Sequence, residues 1–105
     1  VGQPREAMEH YQEAVQMDPN LADARYNLGN ALLALGHHRE ASEHYRQVVQ
    51  LKPDHAEAHN NLGITLHSLG HTDEAIAHFE QALRLKPDYT AARDNLRKAR
   101  ELLSQ

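Results

Sequence analysis

Histidine is the residue type with most chemistry to offer in this chain: nine of the 105 residues are histidine, and there is no cysteine. His55/His59 and His67/His71 have the i, i+4 spacing at which a helix can present two imidazoles to a metal ion. The first pair lies across the Pro53 turn and the second across the Gly70 break, so neither shares one clean helix face. His10, His44 and His78 recur every 34 residues. Adjacent helices lie about 8–10 Å apart, whereas zinc holds its ligands at about 2.0–2.1 Å. No metal or other cofactor is therefore expected. The histidines do imply pH sensitivity: nine added protons would take the formal charge from -4 to +5, altering attraction to a charged partner between about pH 7 and 5.5.

Other chemistry is sparse. The chain has no glycine-rich phosphate loop, no nucleophile elbow and no His-Glu-x-x-His run. Its carboxylates fall beside Lys and Arg on helix faces, where solvated pairing accounts for them. The expectation is that this is not an enzyme. The absence of cysteine excludes disulfides and thiol chemistry. A net charge of -4 without a basic excess argues against nucleic-acid partners and membrane surfaces. No apolar run approaches the roughly 20 residues of a membrane span. Nor is there a signal-peptide pattern at Val1, and a cytoplasmic location is the default expectation.

The more informative polar residues are Asn27, Asn61 and Asn95, also spaced by 34. Asparagine is a mediocre helix former, so three at one helical phase need a reason. One reading is local: the amide bonds a neighbouring helix and holds register. The other is a ladder of amides along an inner wall, since an amide donates and accepts and so matches a peptide backbone.

The spacing of 34 belongs to the whole chain. Residues 22–55 and 56–89 align without a gap at 17 identities in 34 positions. Asn27-Leu28-Gly29 returns as Asn61-Leu62-Gly63, and Leu51-Lys52-Pro53-Asp54 as Leu85-Lys86-Pro87-Asp88. A fixed period of this size marks stacked supersecondary units. Each unit reads as two helices. Leu21–Leu35 and Ala56–Leu69 are the first helices of the two units, and His38–Leu51 and Thr72–Leu85 the second. Glycine closes each first helix, and Lys-Pro-Asp stops each second one. Connections of about three to five residues force neighbours antiparallel. Pro4–Met17 reads as a second-type helix without its partner and Thr90–Leu103 as a first-type helix, making six. Gly29 and Gly63, with Ala41 and Ala75, allow close approach, while Tyr45 and Phe79 are expected to pack against the following repeat.

Leu28-Gly29, Leu32, Ala41, Tyr45, Val48 and Pro53, matched in phase by Leu62-Gly63, Leu66, Ala75, Phe79, Ala82 and Pro87, resemble the tetratricopeptide repeat. Arg25 and His59 stand at the fourth position, where that family usually has a large aromatic. The resemblance implies an all-α solenoid of antiparallel helix pairs wound as a right-handed superhelix. Its divisions would be a trailing helix of a truncated repeat (1–21), full repeats 22–55 and 56–89, and a C-terminal capping helix (90–105). On that cap Arg93, Arg97 and Arg100 take positions equivalent to Arg25, Gly29 and Leu32, where unpaired burial is prohibitive.

The resemblance further implies a scaffold that takes an extended peptide or a partner helix in its concave groove. The candidate groove residues are Asp23, Tyr26, Asn27, Asn30, Glu57, Asn60, Asn61, Ile64, His67, Asn95 and Lys98. The asparagine ladder is similar to that of the O-linked N-acetylglucosamine transferase arrays. A targeting or regulatory domain of a larger enzyme such as a glycosyltransferase is the alternative. In the chaperone-binding members of the family a C-terminal carboxylate is clamped by cations. Here the corresponding positions are Tyr26, Asn30, Asn61, Ala91 and Asn95, with every cation missing, which disfavours that class. Partially uncovered Met8, Tyr11, Ala14 and Val15 add an expectation of weak self-association through the N-terminal edge.

Overall fold

The structure, a computed structural model, describes residues 3–105; Val1 and Gly2, the first two residues of the 1–21 division, lie outside the described residues. Six helices follow in order: α1 (Gln3–Met17), α2 (Ala22–Ala34), α3 (His38–Leu51), α4 (Ala56–Ser68), α5 (Thr72–Leu85) and α6 (Thr90–Leu103). There is no strand among the described residues.

Local sequence explains where each helix stops. Gly36 and Gly70 take φ of 79° and 89°, the left-handed conformation that non-glycine residues avoid. The chain then reverses so that the His37 amide donates to the Leu32 carbonyl and the His71 amide to the Leu66 carbonyl, each at 2.8 Å. These bonds satisfy carbonyls that a helix end leaves orphaned. Helices α3 and α5 end differently. Their caps, Lys52 and Lys86, leave helical geometry at φ -136° and -142°, as the residue before a proline must.

Packing follows from small residues facing large ones. Tyr45 and Phe79 are buried, and so are Leu28, Leu32, Leu62, Leu66, Ala41 and Ala75, in one continuous cluster. Tyr45 and Phe79 also make a contact inside their own repeats. Each ring lies over the glycine of its own repeat: a β-carbon at Gly29 would come within 2.7 Å of Tyr45 Cε1. The missing side chain is thus filled by the partner helix of the same pair, which draws α2 to α3 and α4 to α5. Helix α1 is amphipathic without a fully buried residue, yet Met8, Tyr11 and Val15 pack half-buried against the core.

Curvature can be read from which helices touch. Helix α4 packs its backbone close to both α2 and α6, whereas the backbones of α1, α3 and α5 stay apart among the described residues, and Arg46 on α3 reaches Glu74 on α5 through a side-chain ion pair at 2.9 Å. The array therefore closes up on the α2, α4 and α6 side, which becomes its inner wall.

Candidate functional site

Three helices bring the inner wall together, and its polar side chains are tied in one hydrogen-bonded network. Burial brings the Tyr45 hydroxyl to this wall, where it donates to Asn30 Oδ1 at 2.6 Å. Asn61 Nδ2 donates to the same oxygen at 3.0 Å and to the Tyr26 hydroxyl at 3.3 Å. Asn95 Nδ2 donates to Asn60 Oδ1 at 3.1 Å, and Asn60 Nδ2 reaches Asn61 Oδ1 at 3.5 Å. The periodicity explains the pattern: Asn61 and Asn95 each reach back 35 residues, to the equivalent positions Tyr26 and Asn60 of the preceding repeat. Of the two readings of the asparagine ladder, register-holding bonds between stacked helices match Asn61 and Asn95. Asn27 has no side-chain bond among the described residues, and it lines a hollow of about 360 Å³ with Pro4, Tyr11, Asn30 and Ala31.

The network leaves specific groups available. Both lone-pair directions of Asn30 Oδ1 are used, so its Nδ2 remains as a pair of donors. Among the described residues the one buried side-chain nitrogen or oxygen without a partner is His38 Nδ1, so Asn30 Nδ2 is open to solvent. Burial, with some repulsion from Tyr26, pushes the Tyr45 phenol well above its ordinary range, and this hydroxyl stays a donor.

A second cluster borders the network. The Tyr26 ring packs on His55 at 4.6 Å between centroids, and His55 Nδ1 accepts from the Ala58 amide to cap α4. Lys86 pairs with Glu57 at 3.3 Å while lying 4.8 Å above the Tyr89 ring. Backbone hydrogen bonding, with help from Lys86, holds the Glu57 carboxyl below its ordinary range. Burial raises the Tyr89 phenol, with Glu57 adding to the effect.

The other sequence-derived candidates lie apart from this core. Asp23 is exposed and pairs loosely with Lys52 at 3.7 Å. Ile64 packs half-buried against the hydrophobic core. His67 Nδ1 meets the Thr72 hydroxyl at 3.3 Å beyond the end of α4, and Lys98 is exposed on α6. Asn60, for its part, is only 3% exposed and works inside the network.

His55 and His59 turn to different partners, His67 turns to the Thr72 hydroxyl, and no three histidine, aspartate or glutamate side chains converge on a metal position among the described residues. The arginine stripe is exposed: Arg100 pairs with Glu80 at 2.8 Å, Arg97 with Asp94 at 3.8 Å, and Arg93 donates to the Pro87 carbonyl. With Leu96 these arginines border a hollow of about 430 Å³.

That last bond exposes a motif that sequence reading overlooked. Arg25 donates to the Pro19 carbonyl at 2.6 Å, His59 Nε2 to that of Pro53 at 2.9 Å, and Arg93 to that of Pro87 at 2.8 Å. A cation or imidazole six residues after each proline was the available signal. These side chains replace the usual aromatic by tying each turn to the following helix.

A model described as "tetratricopeptide repeat" matches residues 26–90, and one described as "TPR repeat" matches residues 2–36. No curated protein matches by sequence. Among solved structures, the chain is similar to the first TPR of Spaghetti (RPAP3) bound to the HSP90 peptide SRMEEVD, at TM-score 0.95 and 25% identity, covering 99% of this chain and 82% of that one. It is similar to YrrB, described as a TPR protein with an unusual peptide-binding site, at TM-score 0.81 and 29% identity, covering 88% and 47%. A Thermobaculum terrenum O-GlcNAc transferase mutant matches at TM-score 0.86 and 30% identity, covering 93% of this chain and 19% of the transferase. The chain thus spans under half of the latter two. No helix among the described residues is long and apolar enough to cross a membrane.

Proposed function

Because this chain belongs to the tetratricopeptide-repeat family, we propose that it is a protein-interaction module that holds an extended peptide against the wall of α2, α4 and α6. The observation that carries this reading is Asn30. Its oxygen is held by Tyr45 and Asn61, so its two N–H donors are fixed in direction and open to solvent. Donors oriented in advance lose little entropy on binding, and peptide carbonyls are their natural acceptors. Two of the similar structures are described by the peptides or peptide site they carry, which supports the same assignment. Asn27, Asn95 and the Tyr26 ring extend the wall to either side. Asn61 is a positioning residue in this scheme, and Asp23, Glu57 and Lys98 are contacts at the rim.

Tyr26 and Ala91 stand where a terminal carboxylate would need cations. The ligand is accordingly an internal extended segment whose backbone is read. Panning a random peptide library displayed in both internal and C-terminal formats tests this. Internal binders should emerge, and Asn30→Ala should weaken them about five- to a hundredfold, the worth of one well-made contact. Recovery of C-terminal binders alone, or indifference to Asn30→Ala, would overturn it. The similarity to a transferase array supports a second reading, a targeting domain of a larger enzyme; the same groove would then receive that enzyme's protein substrates.

A further inference from the structure

Two histidines from different helices meet at the seam between α4 and α5. His59 Nδ1 and His78 Nδ1 are 3.1 Å apart, and their rings stack at 5.3 Å between centroids with 25° between planes. His59 is 8% exposed. The bonding pattern assigns the protons. His59 Nε2 faces the Pro53 carbonyl at 2.9 Å, and a carbonyl only accepts, so this nitrogen carries hydrogen. In the neutral ring, His59 Nδ1 is then an acceptor, and His78 Nδ1–H is its donor. One repeat earlier the same place is occupied by Arg25, whose guanidinium donates to His44 Nδ1 at 3.1 Å.

We propose that these pairs are proton-sensitive locks between the two helices of each repeat, His59–His78 opening on its second proton and Arg25–His44 on its first. The first proton at the dyad goes to His78 Nε2, which leaves the Nδ1–H···Nδ1 bond intact and charge-assisted. A second can only land on His59 Nδ1. Two N–H groups and two positive charges then face each other, and the bond is lost. The surroundings favour opening. From α3, Arg46 faces His78; Glu74 on α5 opposes it but is paired with Arg46 at 2.9 Å. At the other lock Arg25 faces His44 from α2, opposed by Glu40 and Glu43 on α3 itself.

Burial, reinforced by His59 and Arg46, lowers the pKa of His78; burial, reinforced by Arg25, lowers that of His44. The folded chain therefore refuses protons that the unfolded chain accepts near pH 6.5. Stability from the locks is complete above about that pH and declines as the pH falls. Since α4 carries Asn60 and Asn61, opening the α4–α5 lock also frees part of the inner wall.

Nitrogen-15 imidazole spectra of the full chain test the proton assignment without any substitution. At pH 7.5 they should show His59 as the Nε2–H tautomer and His78 as the Nδ1–H tautomer; any other pairing overturns the dyad. Melting at pH 7.5 and 5.0 tests the locks. The native chain should lose on the order of 5 °C or more, and the doubly substituted His44→Gln/His78→Gln chain less than half as much. Equal losses would overturn the proposal. His59→Arg, which copies the Arg25–His44 arrangement, should change the α4–α5 opening from a two-proton to a one-proton step in hydrogen exchange against pH. An unchanged proton number would count against it.

Discussion

The Phe79 ring lies over Gly63 so closely that a β-carbon there would stand 2.5 Å from Cε1 and 2.8 Å from Cζ. Phe79 is only 2% exposed and cannot swing away. Alanine is the better helix former by about 1 kcal/mol, but here overpacking opposes it by about 1–3 kcal/mol. Gly63→Ala should therefore destabilise the chain, and Phe79→Leu should restore part of the loss in the double variant. Urea denaturation of the two single variants and the double one would measure the coupling; additive effects would disprove the contact's importance.

Gly70→Ala tests a different property of glycine. Nothing lies within 4 Å of a β-carbon at this position, yet its φ is 89°. The expected loss of about 1–2 kcal/mol is purely conformational. No reduction of Phe79 should rescue it, and circular-dichroism melts of the paired variants would show this.

Asn61→Ala removes two bonds that join α4 to α2, those to Asn30 and Tyr26. The expected cost is about 1 kcal/mol or more, against a few tenths regained in helix propensity. Asn27→Ala breaks no side-chain bond among the described residues and should leave the melting temperature nearly unchanged. Differential scanning calorimetry distinguishes the two, and equal melting temperatures would show that the Asn61 bonds contribute little.

Leu62→Ala supplies the contrast. Leu62 is fully buried in the common cluster, and its truncation should cost about 2–5 kcal/mol. Peptide affinity should hold at temperatures where the variant stays folded, since no groove contact is removed. Calorimetric titration at low temperature would check that separation.

Proton uptake should also depart from the simple count. His44 and His78 are both held below the ordinary histidine range, so acidification to pH 5.5 should add fewer protons than nine independent histidines would take. Any partner sensing net charge should then respond less steeply than the composition implies. Potentiometric titration of the folded chain against the urea-unfolded chain would reveal the difference.

Much of this molecule was legible in the sequence because the governing interactions are local. The 34-residue recurrence, Gly36 and Gly70 in left-handed conformation, and the prolines after α3 and α5 determine helix ends within a few residues of themselves. Apolar phase likewise marked Leu28, Leu32, Leu62 and Leu66 for burial. Side-chain partners across helices were another matter. Periodicity brought Asn61 to the right wall but could not choose between a ligand and Asn30, 31 residues away. That choice depends on the register in which α4 stacks on α2. Nor could it tell that Tyr45 would cover Gly29 within its own repeat, or that His59 would meet His78 rather than His55. Imidazole and phenol rings reach in directions set by rotamer and helix crossing, and only the packed tertiary structure decides those.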